Sequence, residues 1–328
     1  MVCRPLLVPI AAGVFLAQGG GAQAPAPAQA SPRFVLHSEA SVRLPLELVL
    51  PIWSGRSMLG LEINSSNQAL IYSVDRDGNR EEVWVAIPDA GFIRIYCLAG
   101  TPDGAIVASG SAYFSNKAAT FLAWISPDRK QQIVTRVWPY IPDAITTAPD
   151  GTVWAVGRIR DEANRWGDIQ NIMRHYDRSG RMLGSWTLKP KRILKRMAGD
   201  GTMVSYLVAA GDRIGWVTNA GEYIEYSPYG VELDRFNGPA GVEIEEPRLT
   251  GAALSSENEL FVSVQSNKPR GGGSQILALD RRTGTWLSAL PELKGELAGV
   301  DGQLLVVTTV GELAKVWRYK PNSPAQAQ

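Results

Sequence analysis

Three polar segments between apolar runs carry the residue types that could bind or react. Residues 110–117 hold Tyr113 and Asn116, residues 158–171 hold Arg158, Arg160, Arg165 and Trp166, and residues 265–274 hold Asn267 and Arg270. Arginine presents its N–H groups in a planar fork that matches a carboxylate or a phosphate. A tryptophan beside it offers a flat face for a sugar or an aromatic ring. Loops longer than a tight turn are where binding residues concentrate. The segment 158–171 is the sharpest of the three, because its arginines and its tryptophan are crowded together. It also contains Asp161, Glu162 and Asp168, which could pair with those arginines in a solvated loop.

Other constellations are weaker. Glu243, Glu245 and Glu246 precede Pro247 and, with Asp143 and Asn219, could make an oxygen-rich site of the kind Ca²⁺ prefers. Their spacing matches no calcium loop, and a solvated acidic loop explains them equally. Lys189, Lys191, Arg192, Lys195 and Arg196 form a basic stretch that reads as a solvated linker or an anion site. Gly271-Gly272-Gly273 lacks the following Lys-Ser/Thr of a phosphate cradle and opens no helix. The chain has 2 histidines. His37 and His175 both fall inside apolar runs, where neither is placed as a general base or metal ligand. No Gly-x-Ser-x-Gly elbow occurs. No catalytic residue is predicted.

The elements that position these segments are short runs rich in Val, Ile, Trp, Tyr and Thr, bounded by Gly, Asp, Asn and Pro, which is the pattern of strands and turns. Many runs, such as Thr152-Val153-Trp154-Ala155-Val156, are apolar on both faces and must be covered on both sides. Turn residues recur at 55, 104, 151, 211, 258 and 302, at intervals of 49, 47, 60, 47 and 44. A second series, near Gly78, Asp128, Gly180, Gly230 and Gly284, recurs in phase with the first. Two turn classes at a period of about 40–50 residues predict an all-β, six-bladed β-propeller with four antiparallel strands per blade. The last repeat lacks a fourth strand, and Arg33-Phe34-Val35-Leu36-His37 lacks a partner. That N-terminal run is predicted to close the ring and so remove the exposed edge. Trp84, Trp124, Trp154, Trp216, Trp286 and Trp317 recur in blade strands and are expected in the core between blades.

The third repeat, Pro142-Asp143-Ala144-Ile145-Thr146-Thr147-Ala148-Pro149-Asp150-Gly151-Thr152-Val153-Trp154, continuing at Ile172 to Gly180, resembles the blades of NHL-repeat and SMP-30/gluconolactonase-like propellers. The resemblance covers nearly the whole chain beyond residue 30, as a degenerate pattern. It implies either a binding module or a calcium- or zinc-dependent lactonase whose metal is held by one Glu and a few Asn or Asp at the channel mouth. The ligand-bearing motifs of those lactonases have no match here.

Residues 1–30 read as a signal peptide and small-residue linker: a basic start at Arg4, an apolar run from Pro5 to Ala17, then Gly, Ala and Gln. The apolar run is shorter than the roughly 20 residues that span a bilayer. Cleavage is expected between residues 22 and 30. Of 33 basic and 32 acidic residues, only Arg4 lies in that segment, so the mature chain is formally neutral. Neutrality argues against a nucleic-acid partner and against polybasic membrane attachment. Cys97 is the one remaining cysteine, which excludes an internal disulfide and reads as a buried, inert thiol. The expectation is therefore an exported module, periplasmic or extracellular. Residues 31–320 form the propeller and 321–328 a disordered tail. It should bind a small-molecule or protein ligand without a cofactor, with no stable membrane insertion after cleavage. A metal-dependent hydrolase or lyase, using Ca or Zn, is the alternative.

Overall fold

Strand-forming residues and left-handed turn positions alternate along the chain, and the structure follows that rhythm. The computed structural model describes residues 34–43, 48–62, 69–115, 117–160, 171–190, 205–239, 247–266, 273–288, 295–302, 304–309 and 313–321. Strand β1 (Phe34–Arg43) is followed by five groups of four consecutive strands. Blade one is β2 (Leu48–Trp53), β3 (Ser57–Glu62), β4 (Leu70–Asp75) and β5 (Arg80–Trp84). Blade two is β6 (Phe92–Gly100), β7 (Ile106–Tyr113), β8 (Ala118–Ile125) and β9 (Gln132–Arg136). Blade three is β10 (Tyr140–Thr147), β11 (Val153–Ile159), β12 (Asn171–Tyr176) and β13 (Met182–Leu188). Blade four is β14 (Tyr206–Ala210), β15 (Arg213–Val217), β16 (Tyr223–Tyr226) and β17 (Glu232–Phe236). Blade five is β18 (Pro247–Leu254), β19 (Leu260–Ser266), β20 (Ser274–Asp280) and β21 (Thr285–Ser288). A further four-stranded sheet combines both ends of the chain: β22 (Glu296–Asp301), β23 (Leu304–Thr309) and β24 (Leu313–Pro321), with β1 antiparallel to β24. The chain is an all-β propeller with four-stranded antiparallel blades.

Local chemistry sets the hairpins. In the turn between β6 and β7, the Gly104 amide donates to the Thr101 carbonyl at 2.9 Å with φ at 96°, a value that favours glycine. Between β12 and β13, Gly180 does the same to Asp177 at 3.0 Å, while the Asp177 carboxylate accepts from the amides of Ser179 and Arg181. Arginines from these turns tie neighbours together. Arg178 of blade three meets Asp103 of blade two at 3.0 Å, Arg281 of blade five meets Glu225 of blade four, and Arg76 of blade one meets Asp301 of the terminal sheet.

Burial explains the strands that are apolar on both faces. Leu59 and Ile71 of blade one pack with Ile95, Ile106 and Phe121 of blade two. Val107 and Leu122 of blade two pack with Ile145 and Val153 of blade three. Equivalent clusters join blades three and four, four and five, and blade five and the terminal sheet. A sixth joins Met58 and Val74 of blade one to Ala298 and Val306 of the terminal sheet. Trp124, Trp154 and Trp216 lie in this core as expected, but Trp84 does not. It ends the outermost strand of its blade and is half exposed. Trp286 is half-buried and donates to the Asn237 carbonyl at 2.8 Å. The side chains of Trp317 and His37 lie outside the described residues.

Candidate functional site

The first strand of each sheet, from β2 to β22, lies against the first strand of the next, and β2 also lies against β22. Antiparallel order puts the start of every first strand at the face that also carries the loops between second and third strands. Side chains near those starts therefore converge on one mouth.

First strands bend there. The register shifts at Tyr96 in β6, Asp143 in β10, Thr250 in β18 and Ala298 in β22. A bulge adds one residue against the partner strand and re-aims its side chain. At three of these positions the side chain turns onto the second strand of its own blade. Tyr96 donates to Ser111 Oγ at 3.0 Å, Asp143 accepts from Arg158, and Thr250 Oγ1 lies 3.0 Å from Ser263 Oγ.

Arg158 was expected in a binding loop, and the structure corrects this. It belongs to β11, its side chain is 3% exposed, and its Nε and Nη2 both donate to Asp143 at 2.7 Å. A fork-to-fork pair of this kind offsets the cost of burying both charges. Burial pushes the Asp143 carboxyl above its ordinary range, and the bonds from Arg158 oppose that shift. Asp143 is therefore committed to Arg158 rather than open to a cation.

The blade-two side of the mouth is aromatic. Phe92 pairs with Tyr113 across β6 and β7, with ring centroids 5.6 Å apart, and both rings are partly open to solvent. Arg94, exposed, sets its guanidinium 5.6 Å from the Tyr96 ring centre. The Tyr96 hydroxyl also lies 3.4 Å from that of Tyr113. Burial pushes the Tyr96 phenol up, against the bond to Ser111.

The opposite side is polar. Tyr206 of β14 reaches the Leu249 carbonyl of blade five at 3.5 Å. Its phenol is pushed up, first by burial and next by Glu296, while Arg248 opposes; Cys97 of blade two is also within its electrostatic reach. Glu296 starts β22, and burial holds its carboxyl above the usual range while Arg248 pulls it back. Arg248 is exposed. Neither Arg94 nor Arg248 forms an ion pair among the described residues, whereas the turn arginines of the other face end on carboxylates.

Of the residues expected to bind, Tyr113 is at the mouth. Arg160 follows β11 and its amide donates to the Pro139 carbonyl at 3.0 Å. Asn116, Arg165, Trp166, Asn267 and Arg270 lie outside the described residues, as do Glu243, Glu245, Glu246, Lys191, Arg192, Lys195 and Arg196. Arg94, Tyr96, Tyr206, Arg248 and Glu296 were not singled out from the sequence. The signal for two of them was present: Phe92-Ile93-Arg94-Ile95-Tyr96 alternates, so Arg94 and Tyr96 share a face opposite the two isoleucines. His175 lies on β12 and stacks on Trp154 at 4.1 Å, with burial lowering its imidazole. Burial pushes the Cys97 thiol up to about 12, and the thiol donates to the Asp143 carbonyl at 3.2 Å. Among the described residues, no three His, Cys, Asp or Glu side chains gather as a metal-ligand set, and no helix is long and apolar enough to cross a membrane.

No protein-family model matches the chain, and no curated protein is similar to it in sequence. Solved structures align with it at low identity. A Bacteroides caccae protein of unknown function aligns with a TM-score of 0.48 and 11% identity over 77% of this chain and 82% of that one. A luciferin-regenerating enzyme aligns at 0.46 and 10% over 88% and 95%. BamB from Moraxella catarrhalis aligns at 0.40 and 10% over 87% and 100%.

Proposed function

We propose that this chain is an exported, six-bladed propeller of the NHL-repeat or SMP-30/gluconolactonase-like type, closed by β1, that binds a small-molecule ligand at the mouth where its first strands begin. Closure is supported by the packing of Met58 and Val74 on Ala298 and Val306, by the contact of β2 with β22, and by Arg76 reaching Asp301. Export is supported by the n-region, apolar run and small residues of the first 30 positions. The observation that carries the binding function is convergence. Arg94, Tyr96, Tyr206, Arg248 and Glu296 come from four different sheets, and among the described residues neither arginine closes an ion pair, although Arg248 acts on the Glu296 carboxyl from a distance. Rigid sheets holding a few polar groups around one concavity make a ligand site.

Glu296 favours a second reading. A half-buried carboxyl held above its usual range, beside Arg248 and Tyr206, is what acid–base chemistry requires. A metal-dependent hydrolase or lyase would need further ligands, because the described residues gather no set of three and Asp143 is committed to Arg158.

Native mass spectrometry of the protein purified from its own host tests the binding reading. Wild type should carry a small-molecule adduct that the double variant Arg248→Ala, Glu296→Gln loses while its thermal midpoint is no lower than that of wild type. Equal adducts in both, or none in wild type, would overturn it. Stoichiometric calcium or zinc by elemental analysis would instead favour the hydrolase.

A further inference from the structure

We propose that the blade-two side of the mouth takes a small molecule with a planar aromatic ring and, about 6–7 Å from it, a carboxylate or phosphate. This rests on the ligand-binding reading and names the class of ligand. Three observations carry it.

The first is an open aromatic platform. Phe92 and Tyr113 are 40% and 38% exposed, although they pair closely with each other. Other aromatic rings between blades two and three, Tyr140 and Tyr176, are closed off. Ile159 of blade three is 43% exposed and shares its face of β11 with Val153 and Ala155, which pack toward blade two. An aromatic pair and an aliphatic side chain left open at the mouth form an apolar surface that wants a partner.

The second is the spacing of the charge. Register places Phe92 opposite Tyr113 and Arg94 opposite Ser111, so Phe92 and Arg94 stand two residues apart on one face of β6. A strand rises about 3.3 Å per residue, so a ring on Phe92 and an anion at Arg94 are about 6–7 Å apart. Arg94 has no ion pair among the described residues, and lying toward the Tyr96 ring it keeps its N–H edges for a ligand.

The third is a short hydroxyl chain beside it. Tyr113, Tyr96 and Ser111 are linked at 3.4 and 3.0 Å. Because Tyr96 donates to Ser111, the Ser111 hydroxyl proton is free to turn toward an anion. A cationic ligand would face Arg94, while the described carboxylate at the neighbouring bulge, Asp143, is taken up by Arg158.

Calorimetry on the mature protein tests the assignment with three probes: 3-phenylpropionate, the uncharged 3-phenylpropanol, and hexanoate, which has the charge without the ring. Phenylpropionate should bind once per chain, and each of the others should bind about tenfold more weakly or worse. Arg94→Gln should weaken phenylpropionate by about tenfold and leave phenylpropanol unchanged. Tyr113→Ala should weaken both aromatic probes, and Tyr113→Phe should restore them. Phenyl phosphate in place of phenylpropionate separates a phosphate ligand from a carboxylate one. Equal binding of all three probes, no binding of any, or indifference to Arg94→Gln overturns the proposal. If the probes fail while the Arg248, Glu296 variant still loses its native adduct, the mouth binds a different class of ligand. If both fail, the binding reading falls with this one.

Discussion

Two carboxylates near the mouth meet different fates. Asp143 has both oxygens on Arg158 and both side chains are sealed from water, so the pair is structural. Among the described residues, Glu296 has only the more distant pull of Arg248 against the burial that raises its carboxyl. The sign of its effect on stability follows. A raised folded-state value means the native protein binds the proton more tightly than the unfolded chain does. Stability therefore falls as pH rises from the unfolded value of about 4.3 through the raised folded value, and is flat above it. Glu296→Gln should remove that fall, and Arg248→Ala should enlarge it. Urea unfolding between pH 3.5 and 7 checks this; parallel curves for wild type and Glu296→Gln would count against it. The sequence made Arg158 look like the start of a loop because Val153-Trp154-Ala155-Val156 is buried on both faces. Such a strand shows no alternation that would mark Arg158 as one more inward residue. Its partner Asp143 sits on the preceding strand, at a bulge that nothing in its own strand announced.

At the scale of elements, the hairpin turns were legible because each needs a left-handed residue or an Asp side chain at a fixed offset. Gly104, Gly151, Gly180 and Gly230 all adopt positive φ where the turn series placed them. The bulges on the first strands were harder to see, but they left a trace. Gly60, Gly110 and Gly157 sit inside second strands, where glycine is otherwise costly, and each lies opposite a register shift. A Cβ on Gly110 would collide with the Arg94 carbonyl, and one on Gly157 with the Ile141 carbonyl. These glycines let the bent first strand approach, which is how Tyr96 and Asp143 come to point as they do. Gly157→Ala should cost about 1–3 kcal/mol, since backbone cannot move aside as a flexible side chain can. Gly273→Ala, where nothing lies within 4 Å, should stay within about 0.5 kcal/mol. Denaturant unfolding of the two variants decides it, and equal midpoints would mean that the approach at Gly157 is not limiting.

For the molecule as a whole, the architecture was readable because a propeller states its rule again in every blade, so a weak signal accumulates. The binding loops state no such rule, and most of the residues expected there lie outside the described segments. What joins the two ends of the chain is the most consequential feature at this scale. Strand β1 pairs with β24 from Phe34 opposite Pro321 to Arg43 opposite Leu313, interrupted by one bulge. Without β1, the outer edge of β24 would expose its unpaired N–H and C=O groups, an edge that invites pairing with other chains. The seam to blade one would still have the small cluster around Met58 and Val306 and the ion pair of Arg76 with Asp301. The arginine of that pair is exposed, so Arg76→Ala should cost no more than about 1 kcal/mol. Deleting residues 31–43 should cost more than about 4 kcal/mol, beyond the range of ordinary substitutions, and should make the protein associate with rising concentration. A peptide of residues 31–43 added in trans should restore both the thermal midpoint and the monomer, because it supplies the missing ladder. An unchanged midpoint after the deletion would show that β1 decorates the terminal sheet without closing the ring.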